Sequence, residues 1–324
     1  MRINKDEYIY AVSRIRCKEN KLLSSKNIDQ MISMKDAQSV ERYLTEQGWG
    51  TSGDYGHKDI LLCEQDSLWE LMRELVGDLS CFDFFRVQND FHNLKASIKA
   101  VYSDIDPEFM FLSGSVLSPL DIYSAVKSKE YSELPEFLSS VAQEAMSILL
   151  KTGDGQLCDA IIDKACLNEV ERLGNNSGDA LIRRYCEVFV AAGNIKIAVR
   201  GAKLLKSADF LLRSMADCES LDVKLLASSA ARGFDEVCSY LSATDYKDSV
   251  SYIKESLSAF EKWCDNYIIN LMKTQKSEPF SIGPLVAYII AKQTEIKAVR
   301  LILTAKLNAL DDGVIRERVR EMYV

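Results

Sequence analysis

The sequence predicts an all-α fold made of three similar helical-bundle subdomains. Three observations support this prediction. The 324 residues include only 5 prolines and 15 glycines, the residues that mark the many turns of β folds. Long segments carry apolar residues at steps of three and four, the period of a helix packed on one face. A short motif also recurs at a constant interval of 101 residues, and such a period indicates repeated structural units.

Composition and charge exclude several classes of protein. Hydrophobic residues make up 47% and charged residues 27% of the chain, which is enough apolar material for a core. The net charge of -8 argues against a nucleic-acid binder, since such proteins neutralise phosphates with lysine and arginine. No apolar run approaches the ~18 residues of a membrane span, and the N-terminus has no signal-peptide core. We therefore expect a cytoplasmic chain that reaches a membrane only through another protein.

The repeat is carried by three related segments. NLKASIKAVY starts at Asn93, NIKIAVRGAK starts at Asn194, and the shorter EIKAVR starts at Glu295. The downstream sequences LDI and LDV, which begin at Leu120 and Leu221, keep the same 101-residue interval. The constant interval, more than any single match, indicates a repeated helical module.

Apolar stripes predict that the first two motif helices lie in the core. Their positions alternate steps of three and four, as expected for a seam between helices. Pro119 and Pro284 stand where helices should begin, because proline suits the first turn. The stripes comprise Phe84, Val87, Phe91, Leu94, Ile98 and Val101, and then Tyr185, Val188, Ala192, Ile195, Val199 and Ala202.

These signals predict three modules with approximate boundaries. The first spans residues 1–82 and is completed by the closing C-terminal helices at 284–324. The second spans 83–178 and the third 179–283. Three units of one design favour a pseudo-threefold funnel around an axial hole, although an open solenoid is an alternative arrangement of the same repeats.

The sequence offers little for catalysis or cofactor binding. His57 and His92 are the only histidines and lack ligand partners at helical spacing, so we expect His92 to be a hydrogen-bonded surface residue. The segment GWGTSG at 48–53 matches a dinucleotide fingerprint by letter, but a helix precedes it where a strand is needed. Nine cysteines without a CxxC pair predict buried free thiols in a reducing compartment. We expect no enzyme activity, cofactor or metal.

Cations in the motif are the candidate partner-binding residues. They lie beside core positions, where an unpaired charge is costly. They must therefore form surface ion pairs or line a polar cavity, and their repetition favours contact with a partner. These residues are Lys95, Lys196, Arg200, Lys297 and Arg300.

The C-terminal sequence carries a family resemblance. GPLVAYIIAK at 283–292, EIKAVRLILTAKLNAL from Glu295, and IRERVR at 315–320 resemble the end of the C subunit of the archaeal and bacterial V/A-type rotary ATPases, whose eukaryotic counterpart is the V-ATPase d subunit. YAVSRIRCKENKLLS at 10–24 and DFHNLK at 90–95 are similar to its earlier motifs. Ala298 and Ala309 depart from the family's usual Asn and Gly, a change that should be conservative within a helix.

The resemblance implies a specific role. The family fold is a three-lobed helical funnel on the membrane rotor ring of c/K proteolipids, which receives the shaft formed by the D and F subunits. The protein would then couple ATP turnover to H+ or Na+ transport and hold no nucleotide itself. A helical-repeat adaptor that binds a partner on a concave surface is the alternative function, and a small-molecule enzyme on a helical scaffold is a third.

Overall fold

The structure, a computed structural model, describes residues 5–50 and 60–324, and most of them lie in helices. Those residues contain no β-strand, which confirms the all-α prediction. Short 3-10 turns connect several of the sixteen α-helices. The α-helices are α1 (Lys5–Glu19), α2 (Ser25–Ile32), α3 (Ala37–Glu46), α4 (Ile60–Val76), α5 (Asp83–Ser103), α6 (Pro119–Ser128), α7 (Glu136–Thr152), α8 (Gly155–Asn176), α9 (Ala180–Lys203), α10 (Ala208–Ser214), α11 (Val223–Arg232), α12 (Phe234–Leu241), α13 (Val250–Glu255), α14 (Leu257–Lys273), α15 (Gly283–Leu307) and α16 (Asp312–Arg318).

The helices form two compact units. The first unit combines both ends of the chain, Met1–Ser80 and Ser258–Val324, and the second is the continuous segment Cys81–Leu257. In the first unit, buried residues of α2 and α3 share a core with α15 and α16. In the second, α5, α6, α7 and the start of α8 enclose a core around Phe91, Leu94 and Ile98. The finer division into three modules at 82, 178 and 283 stays a prediction.

Helices α5, α8 and α9 run side by side in the second unit. Lys95 and Lys99 of α5 pair with Asp163 and Asp159 of α8, so the partner's number falls as that of α5 rises and the two helices are antiparallel. Glycines set the spacing of α8 and α9: a Cβ on Gly174 would lie 2.5 Å from the Cβ of Cys186. Helix α9 follows α8 through a short turn and is also antiparallel to it. The C-terminal ends of α5 and α9 therefore lie at the same end of the unit as the start of α8.

The predicted core stripes are confirmed. Eleven of the twelve stripe positions are buried, and Val101 is partly buried against the same core. Phe91, Leu94 and Ile98 face α6 and α7, while the ring of Tyr185 packs at a tilt against that of Phe85, with centroids 4.9 Å apart. Helical periodicity therefore identified the buried face correctly, because a helix that packs on one side repeats its contacts every three or four residues.

The first residue of each repeat has a buried side chain that hydrogen-bonds the backbone of a loop distant in sequence. We call this contact a clamp. Asn93 donates to the carbonyl of Leu112 and accepts from its N–H, at 3.0 and 2.8 Å. Asn194 makes the same pair of bonds with Ala216, at 2.7 and 3.0 Å. Glu295 accepts from the N–H of Leu23. All three side chains are fully buried, so the repeated residue satisfies loop backbone groups that would otherwise lack partners.

A buried acid accompanies each asparagine clamp of the second unit. Asp90 accepts from the N–H groups of Val116 and Leu117, at 3.1 and 2.9 Å. Burial raises the pKa of Asp90 to about 6, although both backbone donors oppose the shift. Glu187 accepts in the same way from the N–H groups of Glu219 and Ser220. In each case an acid and an asparagine of the motif helix hold the loop in place: the loop before α6 for α5, and the loop before α11 for α9.

Candidate docking surface

The three motif helices end in the same way. Just after α5, α9 and α15, a residue adopts the left-handed conformation: Asp104, Leu205 and Ala309, with φ of 53°, 52° and 50°. The residue that follows each of them donates its N–H to a carbonyl five positions back, at 3.0 Å in every case. This bond is the mark of a Schellman stop, which usually employs glycine. The repeat therefore extends beyond the motif to the helix ends.

The stop at Ala309 corrects one sequence interpretation. The sequence comparison places Ala309 inside a helix as a conservative replacement for the family's glycine, but α15 ends at Leu307 and Ala309 lies beyond it at positive φ. A side chain in the left-handed region costs about 1–2 kcal/mol, so the usual glycine has a physical reason here. Ala298, the other departure, is buried within α15 as expected.

Replacing Ala309 by glycine is expected to stabilise the protein. The change relieves the left-handed strain but adds freedom to the unfolded chain, which leaves a gain of about 0.5–1 kcal/mol. Ala298→Gly is the matched control, since glycine inside a helix should destabilise by about 1 kcal/mol. Urea unfolding curves show whether each substitution raises or lowers the free energy of unfolding. A lower free energy of unfolding for Ala309→Gly would show that the conformation carries no strain.

Large apolar side chains are exposed beside each stop. Leu205 is 88% exposed, and Leu204, Tyr102 and Ile105 are each about half exposed or more. Leu307 and Leu310 flank the stop of α15 in the first unit, at the positions that Tyr102 and Ile105 have around the stop of α5. Apolar side chains at helix stops commonly pack back onto the helix, so their exposure at all three stops makes these helix ends a candidate docking surface.

Within the second unit these side chains lie toward one end of the helices. The ends of α5 and α9 lie level with the start of α8, and Lys206 bonds Gln156 there at 3.3 Å. Only Gly153 and Asp154 join α7 to α8, so the last turn of α7 lies at the same end of the unit. Leu150 in that turn is also exposed. We call this group the helix-end surface; it comprises Tyr102, Ile105, Leu150, Leu204 and Leu205.

The five predicted partner-binding cations have different environments. Lys95 is half-buried and pairs with Asp163 at 2.6 Å, and Lys297 pairs with Asp265 at 3.5 Å. Lys196 is half-buried, and Arg200 and Arg300 are exposed. Lys95, Lys196 and Arg200 belong to the second unit, whereas Lys297 and Arg300 belong to the first.

Two of these cations lie on the same helix face as Leu204. Lys196, Arg200 and Leu204 are four residues apart, a spacing that places them on one helix face. The sequence analysis predicted the cations as partner contacts, which stays a prediction, and it did not consider the leucines. The signal was present: Leu204 and Leu205 follow the second motif immediately and extend beyond its core stripe.

Other sequence predictions about chemistry can now be placed. His92 is exposed and its Nε2 lies 3.1 Å from the carbonyl oxygen of Met110, as expected. All nine cysteines are free; five are buried, and Cys17 is the exposed exception. His57 and the glycine-rich segment from position 51 onward lie outside the described residues. In the described ranges, no three His, Cys, Asp or Glu side chains converge as metal ligands, and no helix is long and apolar enough to cross a membrane.

The fold defines a class: an all-helical protein in which one helix motif recurs and apolar side chains are exposed at the helix ends. The chain belongs to the ATP synthase (C/AC39) subunit family, which it matches over residues 11–318.

Relatives with known names extend along the whole chain. It is 24% identical to the C subunit of the V-type sodium ATPase of Enterococcus hirae, covering 95% of this chain and 97% of the relative. It is 24% identical to the C subunit of the A-type ATP synthase of Methanocaldococcus jannaschii, over 95% and 85% of the two chains. It is 23% identical to the C subunit of the V-type ATP synthase of Thermus thermophilus, over 98% and 99%.

Proposed function

We propose that this protein is a non-catalytic central-stalk subunit of a V/A-type rotary ATPase. In this role it is a socket that couples the shaft, formed by the D and F subunits, to the membrane ring of c/K proteolipids, for H+ or Na+ transport. The observation that carries the proposal is the family match over residues 11–318, together with relatives that are named as the C subunit of such machines. The protein would be cytoplasmic, held at the membrane by the ring, and the counterpart of the eukaryotic d subunit.

The proposed socket is a three-lobed funnel. The three motif helices supply its modules, and their common clamps and stops support a common design. A coupling that transmits torque needs a contact area of at least the ~1,600 Å² found in stable complexes. Charged contacts fix the orientation of a partner, while apolar contacts supply most of the affinity.

We assign the two kinds of surface on the second unit to two partners. Lys95, Lys196 and Arg200 contact the shaft, where charge pairs would set the register. The helix-end surface contacts the proteolipid ring, which would cover its exposed leucines. Lys297 and Arg300 of the first unit contribute further shaft contacts.

Separate binding measurements with shaft and ring test this assignment. The D–F shaft and the detergent-solubilised ring would each be copurified with the wild type, with Lys196→Glu/Arg200→Glu, and with Leu204→Gln/Leu205→Asn. Asparagine tolerates the left-handed conformation at 205. The charge reversal is expected to weaken shaft binding at least tenfold, since close charge pairs contribute about 1.5 kcal/mol or more. The polar pair should weaken binding to the ring.

Leu120→Gln is the matched control for the polar substitutions. Leu120 is also exposed, but it follows a loop whose Leu117 N–H bonds Asp90, far from the C-terminal end of α5. Ring binding should not change in this variant. If neither double variant alters either complex, the socket assignment is wrong, and a wild type that binds neither partner would favour the adaptor function.

A further inference from the structure

The first unit contains a polar cavity that the proposed function does not use. Its volume is about 270 Å³, slightly below the range of about 300–1,000 Å³ typical of ligand sites. Residues of α1, α4 and α15, with the turns after α1 and α3, form its wall. The chemically distinctive members are Lys18, Lys21, Trp49, Glu64, Tyr288 and Lys292.

A buried ionic triad forms the inner wall. The Lys292 ammonium lies 2.7 Å from both Glu64 and Glu295 and 4.1 Å from the ring centroid of Trp49. Glu64 also accepts from the N–H of Gly50 at 3.1 Å. The carboxylates are therefore held by partners within the protein, and the inner wall is a fixed structure.

Tyr288 is a polar group of this cavity that lacks a partner. Its side chain is 93% buried, since only 7% of the residue is exposed, and its hydroxyl makes no hydrogen bond with any described residue. Burial raises the pKa of Tyr288, which keeps the hydroxyl protonated as a donor. Ser67, another lining residue, has a buried Oγ that is likewise without a hydrogen-bond partner in the described part of the chain. A buried donor without an acceptor is costly, as at Ser67, so a ligand acceptor here would be favoured.

Two lysines give the cavity its charge preference. Lys18 is half-buried, Lys21 is exposed, and neither forms an ion pair with the described residues. Because Lys292 is already paired with Glu64 and Glu295, the positive excess of the cavity wall comes from Lys18 and Lys21 alone. Unpaired lysines around a concave polar site attract anions and repel metal cations.

We propose that this cavity binds a small oxyanion with a carboxylate or phosphate head. Lys18 and Lys21 would bind the head by charge, and the hydroxyls of Tyr288 and Ser67 would donate to its oxygens. Leu22, Leu68 and Leu71 line the same cavity and would contact an apolar portion of the ligand. This site lies wholly in the first unit and is separate from the helix-end surface, so it stands whether or not the rotor assignment holds.

Calorimetric titration of the full chain tests the site. The probes are inorganic phosphate and citrate, each compared with sodium chloride at equal ionic strength. Saturable binding of phosphate, citrate or both supports the proposal, and the two arms identify the preferred head group. Tyr288→Phe removes one hydroxyl that bonds none of the described residues, so it should fold normally and weaken binding about three- to tenfold. Lys18→Gln/Lys21→Gln should weaken binding by at least as much.

Matched variants separate the site from general charge effects. Tyr252→Phe alters an exposed tyrosine of the other unit, and Lys26→Gln removes an exposed lysine of α2. Both should bind the probes as the wild type does. Binding no stronger than that of chloride would overturn the proposal, as would equal affinity in the wild type and Tyr288→Phe.

Discussion

Replacing Asn194 by alanine is expected to lower the free energy of unfolding by about 2–5 kcal/mol, because the change removes two hydrogen bonds to the backbone of Ala216 and leaves both buried backbone groups without partners. Asn194 and Ala216 are both fully buried, so water cannot replace the lost side chain. Thermal and urea unfolding of the purified chain measure the loss.

Alanine substitutions of two other asparagines give stability losses with which the Asn194→Ala result can be compared. Asn93 clamps Leu112, which is half-buried, so water can partly replace its side chain and Asn93→Ala should cost less than Asn194→Ala. Asn175 bonds only the side chain of Glu171 on the surface, and its alanine variant should stay within about 0.5 kcal/mol of the wild type. A loss for Asn194→Ala as small as that of Asn175→Ala would refute the clamp.

Replacing Lys292 by methionine is expected to destabilise the first unit by about 3–5 kcal/mol near neutral pH. Breaking a buried ion pair leaves an uncompensated charge in a medium of low polarity, and here one ammonium serves two carboxylates. The matched change Lys297→Met lies on the same helix but affects a solvent-exposed pair at 3.5 Å. It should cost at most about 1 kcal/mol.

The pH dependence of the Lys292→Met variant gives a second readout. Burial raises the pKa of Glu295, and Lys292 opposes that shift. Without the lysine the folded-state pKa of Glu295 should rise further above its unfolded value. The protonated group then stabilises the fold at mildly acidic pH, and that contribution is lost as the pH rises through the folded pKa. The variant should therefore recover stability on mild acidification, and a deficit that does not change with pH would contradict the role of the triad.

The helices and their buried faces could be predicted because periodicity is a local signal. The stripes through Leu94 and Ile195 required only the spacing of apolar residues within one segment. The interval between Asn93 and Asn194 likewise identified the repeated helices before their contacts were known.

The partners of the repeated residues could not be predicted, because they depend on tertiary contacts. Asn194 bonds a loop residue 22 positions further along the chain, and Lys292 pairs with Glu64, which lies far earlier in the sequence. The spacing of residue types along the chain does not show which distant residues come into contact. The same limit explains the error at Ala309, where the helix ends earlier than its sequence suggested. Lys95 was predicted as a partner contact, and its ion pair with Asp163 of α8 is a tertiary contact of the same kind, which the sequence did not reveal.

The assembly of the first unit from both chain ends has a consequence for biosynthesis. The segment Cys81–Leu257 is continuous, so it can fold while the ribosome is still translating the rest of the protein, as domains generally do. Helices α2 and α3 are synthesised earlier, but their core cannot form until α15, which supplies much of it, has been translated. During that interval their apolar faces are open to chaperones and proteases, and a message truncated before α15 would yield a product prone to aggregation.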